Sequence, residues 1–132
     1  MSDASALWNQ LKLKDIVIIP AFGATHEDKI RLIMKGIALK EFDATCMLVE
    51  KVWKAIKTHS EEGFTTLIHG KYYHEETKAT FSNALSYGPA LIIADIEEAK
   101  ILGSVILADG ADKLKLFEKH FANRCSPGFN PE

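Results

Sequence analysis

A chain of 132 residues with 47% hydrophobic and 26% charged residues has the size and composition of one globular domain able to bury a core. A formal net charge of −2, with no basic face along the chain, excludes an electrostatic footprint for nucleic acid, so any phosphate binding has to be local. No apolar run approaches the roughly 20 residues of a spanning helix, no signal-peptide pattern opens the chain, and Cys46 and Cys125 match neither a disulfide framework nor a zinc spacing. These readings lead us to expect a protein of the cytoplasm or an organelle stroma with no membrane partner.

The elements follow in chain order. Ala4 to Leu13 carries a weak amphipathic pattern in Leu7, Trp8, Leu11 and Leu13, which predicts a short helix. Asp15 to Phe22 is nearly continuous in apolar, β-branched residues, the pattern of a strand buried on both faces of a parallel sheet. After Gly23 the spacing of Ile30, Ile33, Met34 and Ile37 predicts a crossover helix capped by Thr25, with Glu27 and Asp28 in its first turn. A short strand at Glu41 to Ala44 leads into Thr45, the expected cap of a helix whose apolar face is Cys46, Val49, Val52, Trp53 and Ile56. Gly63 stops that helix. Phe64 to Ile68 reads as a third strand, Glu75 to Ala84 as a helix, and Pro89 to Ala94 as a fourth strand. Asp95 caps a helix bearing Ala99, Leu102, Val105 and Ile106, and Asp112 caps a last one bearing Leu114, Phe117 and Phe121. Residues 124–132 have turn chemistry and read as a linker-like tail. Strand and helix alternate four times, which predicts a single α/β domain over residues 1–132, a three-layer αβα sandwich with a mostly parallel four-stranded sheet.

In such a sheet the chemistry lies at the carboxyl ends of the strands. Two strand ends are rich in it. Cys46 falls at the start of a helix, where unpaired N–H groups favour thiolate, a metal ligand or nucleophile; read plainly, it is a small buried apolar residue. His69-Gly70-Lys71-Tyr72-Tyr73-His74-Glu75-Glu76 crowds titratable side chains between two elements with no apolar filler. Glutamates at a helix start are also ordinary dipole complements, and His69 at a strand end reads equally as a satisfied core residue or a ligand. His74 and Glu76 lie too close in sequence for a zinc pair, no Gly-x-Ser-x-Gly elbow occurs, and Phe22-Gly23-Ala24-Thr25 supplies no dinucleotide fingerprint.

Two stretches carry a resemblance. Phe42-Asp43-Ala44-Thr45-Cys46, continuing through Leu48-Val49 and Lys51-Val52, and Leu67-Ile68-His69-Gly70-Lys71-Tyr72-Tyr73-His74-Glu75-Glu76-Thr77, with Ala79-Thr80, resemble the central domain of the LytB family, 4-hydroxy-3-methylbut-2-enyl diphosphate reductase. Pro20-Ala21-Phe22-Gly23-Ala24 is similar to the plant and cyanobacterial branch, and the resemblance covers about residues 12 to 130.

The resemblance implies a trefoil enzyme of three α/β domains around a four-iron four-sulfur cluster held by one cysteine from each. It makes Cys46 the central domain's metal ligand, His74 a contact of the substrate diphosphate, and Glu76 the acid that lets the allylic hydroxyl leave as water. Ferredoxin or flavodoxin would deliver electrons, and the two sister domains would be partners. The chain departs from the pattern at Phe22, where many bacterial members carry a second diphosphate-contacting histidine, and at Met47, where proline or glycine is frequent. Cys125 has no family motif around it. The expectation is an excised fragment or truncated homologue, inactive alone, binding no stable cluster by itself, and able to self-associate as a homo-oligomer through faces that sister domains would cover. The alternative is a non-catalytic α/β module binding a phosphorylated ligand or a protein. A thiol-dependent redox or signalling protein built on Cys46 ranks below both.

Overall fold

The computed structural model describes residues 4–127, with side chains from Leu7 onward. Its centre is a parallel pair of strands, β1 (Thr66–His69) and β2 (Ala90–Ile93), in register from Thr66 opposite Ala90 to His69 opposite Ile93. Successive side chains of a strand point to opposite faces, so β2 feeds two cores. Ala90 packs with Ile56 and Ala84, against which Trp53, Ile68 and Phe81 also lie. Leu91 enters the largest core, with Leu102, Val105, Phe117 and Phe121. The first face is covered by α3 (Met47–Glu61) and α4 (Glu75–Ala84), the second by α5 (Ile96–Leu107) and α6 (Gly110–Phe121). Leu91, Val105 and Phe121 are fully buried, each contributing about 1.5–3 kcal/mol of burial.

The sheet has two strands, not the four expected. The Ile19 region and the 42–46 segment do approach each other in parallel, but only as an isolated bridge between Ile19 and Asp43. Two bonds make it, Ile19 N–H to Phe42 O and Ala44 N–H to Ile19 O, and a further bond joins Cys46 N–H to Ala21 O beyond it. Pro20 has no N–H to add, and the chain turns at once, Gly23 N–H bonding back to Pro20 O. Ile16 and Ile18 are therefore about two-thirds exposed rather than buried on both faces, and Ile19 alone is deep, in a small core with Leu32 and Ile37. β2 instead gains a neighbour on its other edge. Ile92 N–H donates to Arg124 O and Ser126 N–H to Ala90 O, forming an antiparallel bridge between Leu91 and Cys125. Arg124 also pairs with Glu98, whose second oxygen accepts from Ala94 N–H at 2.7 Å. Residues 128–132 of the expected tail lie outside the described residues.

The helices obey their end signals better than their apolar stripes. In α2 (His26–Met34) Thr25 caps as expected, accepting from Asp28 N–H at 3.1 Å, and Asp95 caps α5 through Glu98 N–H. Gly63 takes φ +90 just past α3, a conformation glycine adopts without strain. The expected caps at Thr45 and Asp112 move to Cys46 and Asp109. Asp43 accepts both the N–H and the hydroxyl of Thr45, which diverts that hydroxyl from the helix. The expected stripe of the second helix is largely outside: Ile30, Ile33 and Met34 are exposed while Leu32 and Ile37 are inside. The helix α1 (Ala4–Gln10) lays Trp8 on that same small core. No helix among the described residues is long and apolar enough to cross a membrane.

Candidate functional site

The chemistry gathers where β1 passes into α4. Gly70 N–H donates to Ile93 O, carrying the ladder one residue past β1, and the loop turns tightly with His74 N–H on Lys71 O at 2.9 Å. Gly70 has to be small: a Cβ there would lie 2.5 Å from Thr77 Oγ1. His74 is the N-cap of α4 and its Nδ1 accepts from Glu76 N–H at 3.3 Å. An accepting Nδ1 carries no proton, so in this arrangement Nε2 holds it and is the imidazole's donor. The helix cap thus selects the tautomer and ties the two residues together.

The adjacent glutamates differ. Glu75 is held by Lys78 at 2.8 Å, whereas the Glu76 carboxylate has no ion-pair or hydrogen-bond partner among the described residues. His74 and Glu76 open onto the same cavity of about 560 Å³, bounded by α3, β1 and α4. His69 and Lys71 also reach its wall, which carries Glu76 as its one carboxylate and Thr66, Thr77 and Thr80 as hydroxyls. Neither His69 nor Lys71 has an ion-pair partner among the described residues. A concave site with three basic side chains, one of them the donor-presenting imidazole of His74, and one unpaired glutamate has the groups to meet an anionic ligand beside a group that needs a proton.

Cys46 is tied to the loop that carries Phe22, and neither residue lines the cavity wall. Cys46 N–H bonds Ala21 O at 2.8 Å, its thiol is half-buried without a capping bond, and Phe22, next in the chain after Ala21, is half-buried as well. Met47 is largely exposed. Cys125 sits on the outer edge of β2, its Sγ against Ala122 O at 3.5 Å. Burial pushes the Cys125 thiol above its ordinary pKa. Among the described residues no group of three His, Cys, Asp or Glu side chains is placed to hold a metal ion. A four-iron cluster needs several cysteine ligands, and Cys46 by itself does not make that set, so the residues present do not fit that group alone.

Sequence reasoning takes in Gly70, Thr77 and Thr80 within the motif and Trp53 on the apolar face of its helix, but assigns none of them a role at the site. The threonines follow His74 at helical spacing on the face of α4 that meets the cavity, a signal available in the spacing. Trp53 left none, because it acts through contacts remote in sequence, and the need for glycine at position 70 shows only once Thr77 is folded back onto it.

Fold and site together define a class: a parallel α/β domain whose strand-end loop and helix start turn His69, Lys71, His74 and Glu76 toward one cavity. The LytB protein family model matches residues 2–118, and the chain belongs to that family. Its cyanobacterial relatives include proteins named 4-hydroxy-3-methylbut-2-enyl diphosphate reductase. That of Synechococcus sp. strain CC9605 is 45% identical over 118 residues, and that of Thermosynechococcus vestitus 44% over the same length. Each match takes in 89% of this chain and 28% of the relative. The chain therefore spans a little over a quarter of the length of these relatives. A solved structure of (E)-4-hydroxy-3-methyl-but-2-enyl diphosphate reductase superposes with a TM-score of 0.64 at 23% identity, covering 80% of this chain and 40% of that one, which establishes the shared fold.

Proposed function

We propose that this chain is the diphosphate-binding domain of a 4-hydroxy-3-methylbut-2-enyl diphosphate reductase, a part of the enzyme and not the whole of it. The observation that carries the reading is the pairing of His74 and Glu76 at the start of α4, on one cavity, with the glutamate unpaired. His74 donates from Nε2 to a phosphate oxygen. Glu76 gives its proton to the allylic hydroxyl as the C–O bond breaks, so that the oxygen leaves as water and the carboxylate remains. The electrons come from outside this chain, with ferredoxin or flavodoxin as the proposed donor. A four-iron four-sulfur cluster in the complete enzyme provides that electron chemistry, and Cys46 is proposed as one of its thiolate ligands, a soft donor suited to iron. The proposed setting is the cytoplasm, or the stroma in a plastid-bearing source.

Calorimetry with inorganic diphosphate and with the allylic diphosphate tests the binding half. His74→Ala is expected to weaken both by about tenfold or more, the size of a charge-assisted hydrogen bond, and Glu76→Gln to leave them nearly unchanged. A chimaera in which this chain replaces the matching 118-residue stretch of the Synechococcus CC9605 relative tests the chemistry. Turnover surviving Glu76→Gln in it would remove the glutamate from its role. Binding without any turnover in the unsubstituted chimaera would favour the non-catalytic phosphate-binding module.

A further inference from the structure

The segments that carry Cys46 and the His74–Glu76 pair are linked through a tryptophan. Trp53, about two turns into α3, sends its Nε1–H across to Thr80 Oγ1 of α4 at 3.2 Å. The far edge of its ring lies against Gly23, where a methyl group would come within 2.4 Å of Cη2; Gly23 has φ +81. Over the ring stands Lys29, with Nζ 5.5 Å from the centroid and 3.3 Å from the Asp43 carboxylate. That carboxylate accepts from Thr45, the residue before Cys46, and Cys46 N–H is itself bonded to Ala21 O in the loop leading to Gly23. The indole is thus held by Gly23, by Lys29, whose ammonium is paired with Asp43 of the segment that delivers Cys46, and by the helix capped by His74.

We propose that Trp53 is a positioning residue that fixes the Cys46 end of α3 relative to the His74 and Glu76 end of α4. Apolar contact alone is non-directional and lets packed helices slide. The indole adds a directional bond on one edge, a close backbone stop on the other and a cation over its face, which together remove that freedom. A residue that merely filled the core could be phenylalanine. The proposal rests on the assigned roles of Cys46 and His74 only for its functional meaning; the coupling itself is a property of the fold.

The test uses the whole chain in a Cys125→Ser background and reads three things: the alkylation rate of Cys46, the His74 imidazole resonance by NMR, and the melting temperature. Trp53→Phe keeps the ring and loses the N–H. It is expected to change the Cys46 rate by about three- to tenfold, the range a lost hydrogen bond converts to, and to move the His74 resonance. Gly23→Ala should do the same from the other edge of the ring. Thr80→Val should reproduce Trp53→Phe, and Thr80→Ser, which keeps the acceptor, should restore wild-type values. If Trp53→Phe lowers the melting temperature but leaves both the Cys46 rate and the His74 resonance unchanged, Trp53 is packing only and the proposal falls. Failure of the unsubstituted chain to bind diphosphate would instead refute the proposed function, since neither the thiol rate nor the resonance depends on ligand.

Discussion

From Ala90 onward, most apolar residues chosen by strand and helix spacing are inside: Leu91, Leu102, Val105, Phe117 and Phe121 form one core and bury almost completely, while Ile106 and Leu114 of the same expected stripes stay exposed. Between Ile16 and Met34 the same kind of spacing marks Ile16, Ile18, Ile30, Ile33 and Met34, and all five are more than half exposed. Composition does not separate the two regions. Neighbours do: β2 is hydrogen-bonded on both edges and packed on both faces, while the Ile16–Ile18 stretch has no ladder and one small core behind it. Periodicity reports which side chains are available to be buried, and pairing decides whether they are. The candidate site lies between these regions, on a unit of α3, β1 and α4 that is packed on its inner face and open at its rim.

The comparison is broken most directly at the packed end. Phe121→Ala should cost about 3–5 kcal/mol, read from the denaturant midpoint, and a loss below about 1 kcal/mol would mean this core is not the anchor described. A smaller effect is expected from Glu98→Ala, which strips the partly buried Arg124 guanidinium of its carboxylate and leaves Ala94 N–H without its acceptor. About 1.5–3 kcal/mol should be lost, with an unchanged denaturant slope. No effect would detach the 124–126 edge from the stability of β2.

The open end responds to pH through Asp43. Burial raises its pKa, but bonds from the Thr45 hydroxyl and N–H and the nearby Lys29 charge outweigh that, and the net shift is downward. A lowered folded-state value means stability that is present above the ordinary carboxylate value of about 4 and lost as the pH falls through the folded value. Asp43→Asn should therefore melt lower than wild type by a constant margin at neutral pH, with the gap closing below about pH 4. A gap that widens on acidification would contradict the assignment. The smallest effect belongs to Ile16→Ser with Ile18→Ser, expected to stay within about 0.5 kcal/mol of wild type because neither side chain is packed. A loss of several kcal/mol would show that this stretch pairs as a strand in solution, and would erase the contrast between the two ends.

Local chemistry was legible in the sequence because it acts over a few residues. Thr25 and Asp95 cap the helices they precede, Gly63 ends one, and the alternation of strand and helix yields the α/β class with parallel pairing. His74 and Glu76, two residues apart at a helix start, were bound to share a rim whatever surrounded them, and the two motifs were enough to point to the family. Tertiary structure decided what depends on residues far apart in the chain. It placed 124–126 rather than a first strand beside β2, used Asp43 to move a cap from Thr45 to Cys46, and set Trp53 between Gly23 and Thr80. Propensity and spacing describe one segment's preference, whereas a ladder neighbour or a close backbone contact depends on which second segment arrives, and no local pattern encodes that.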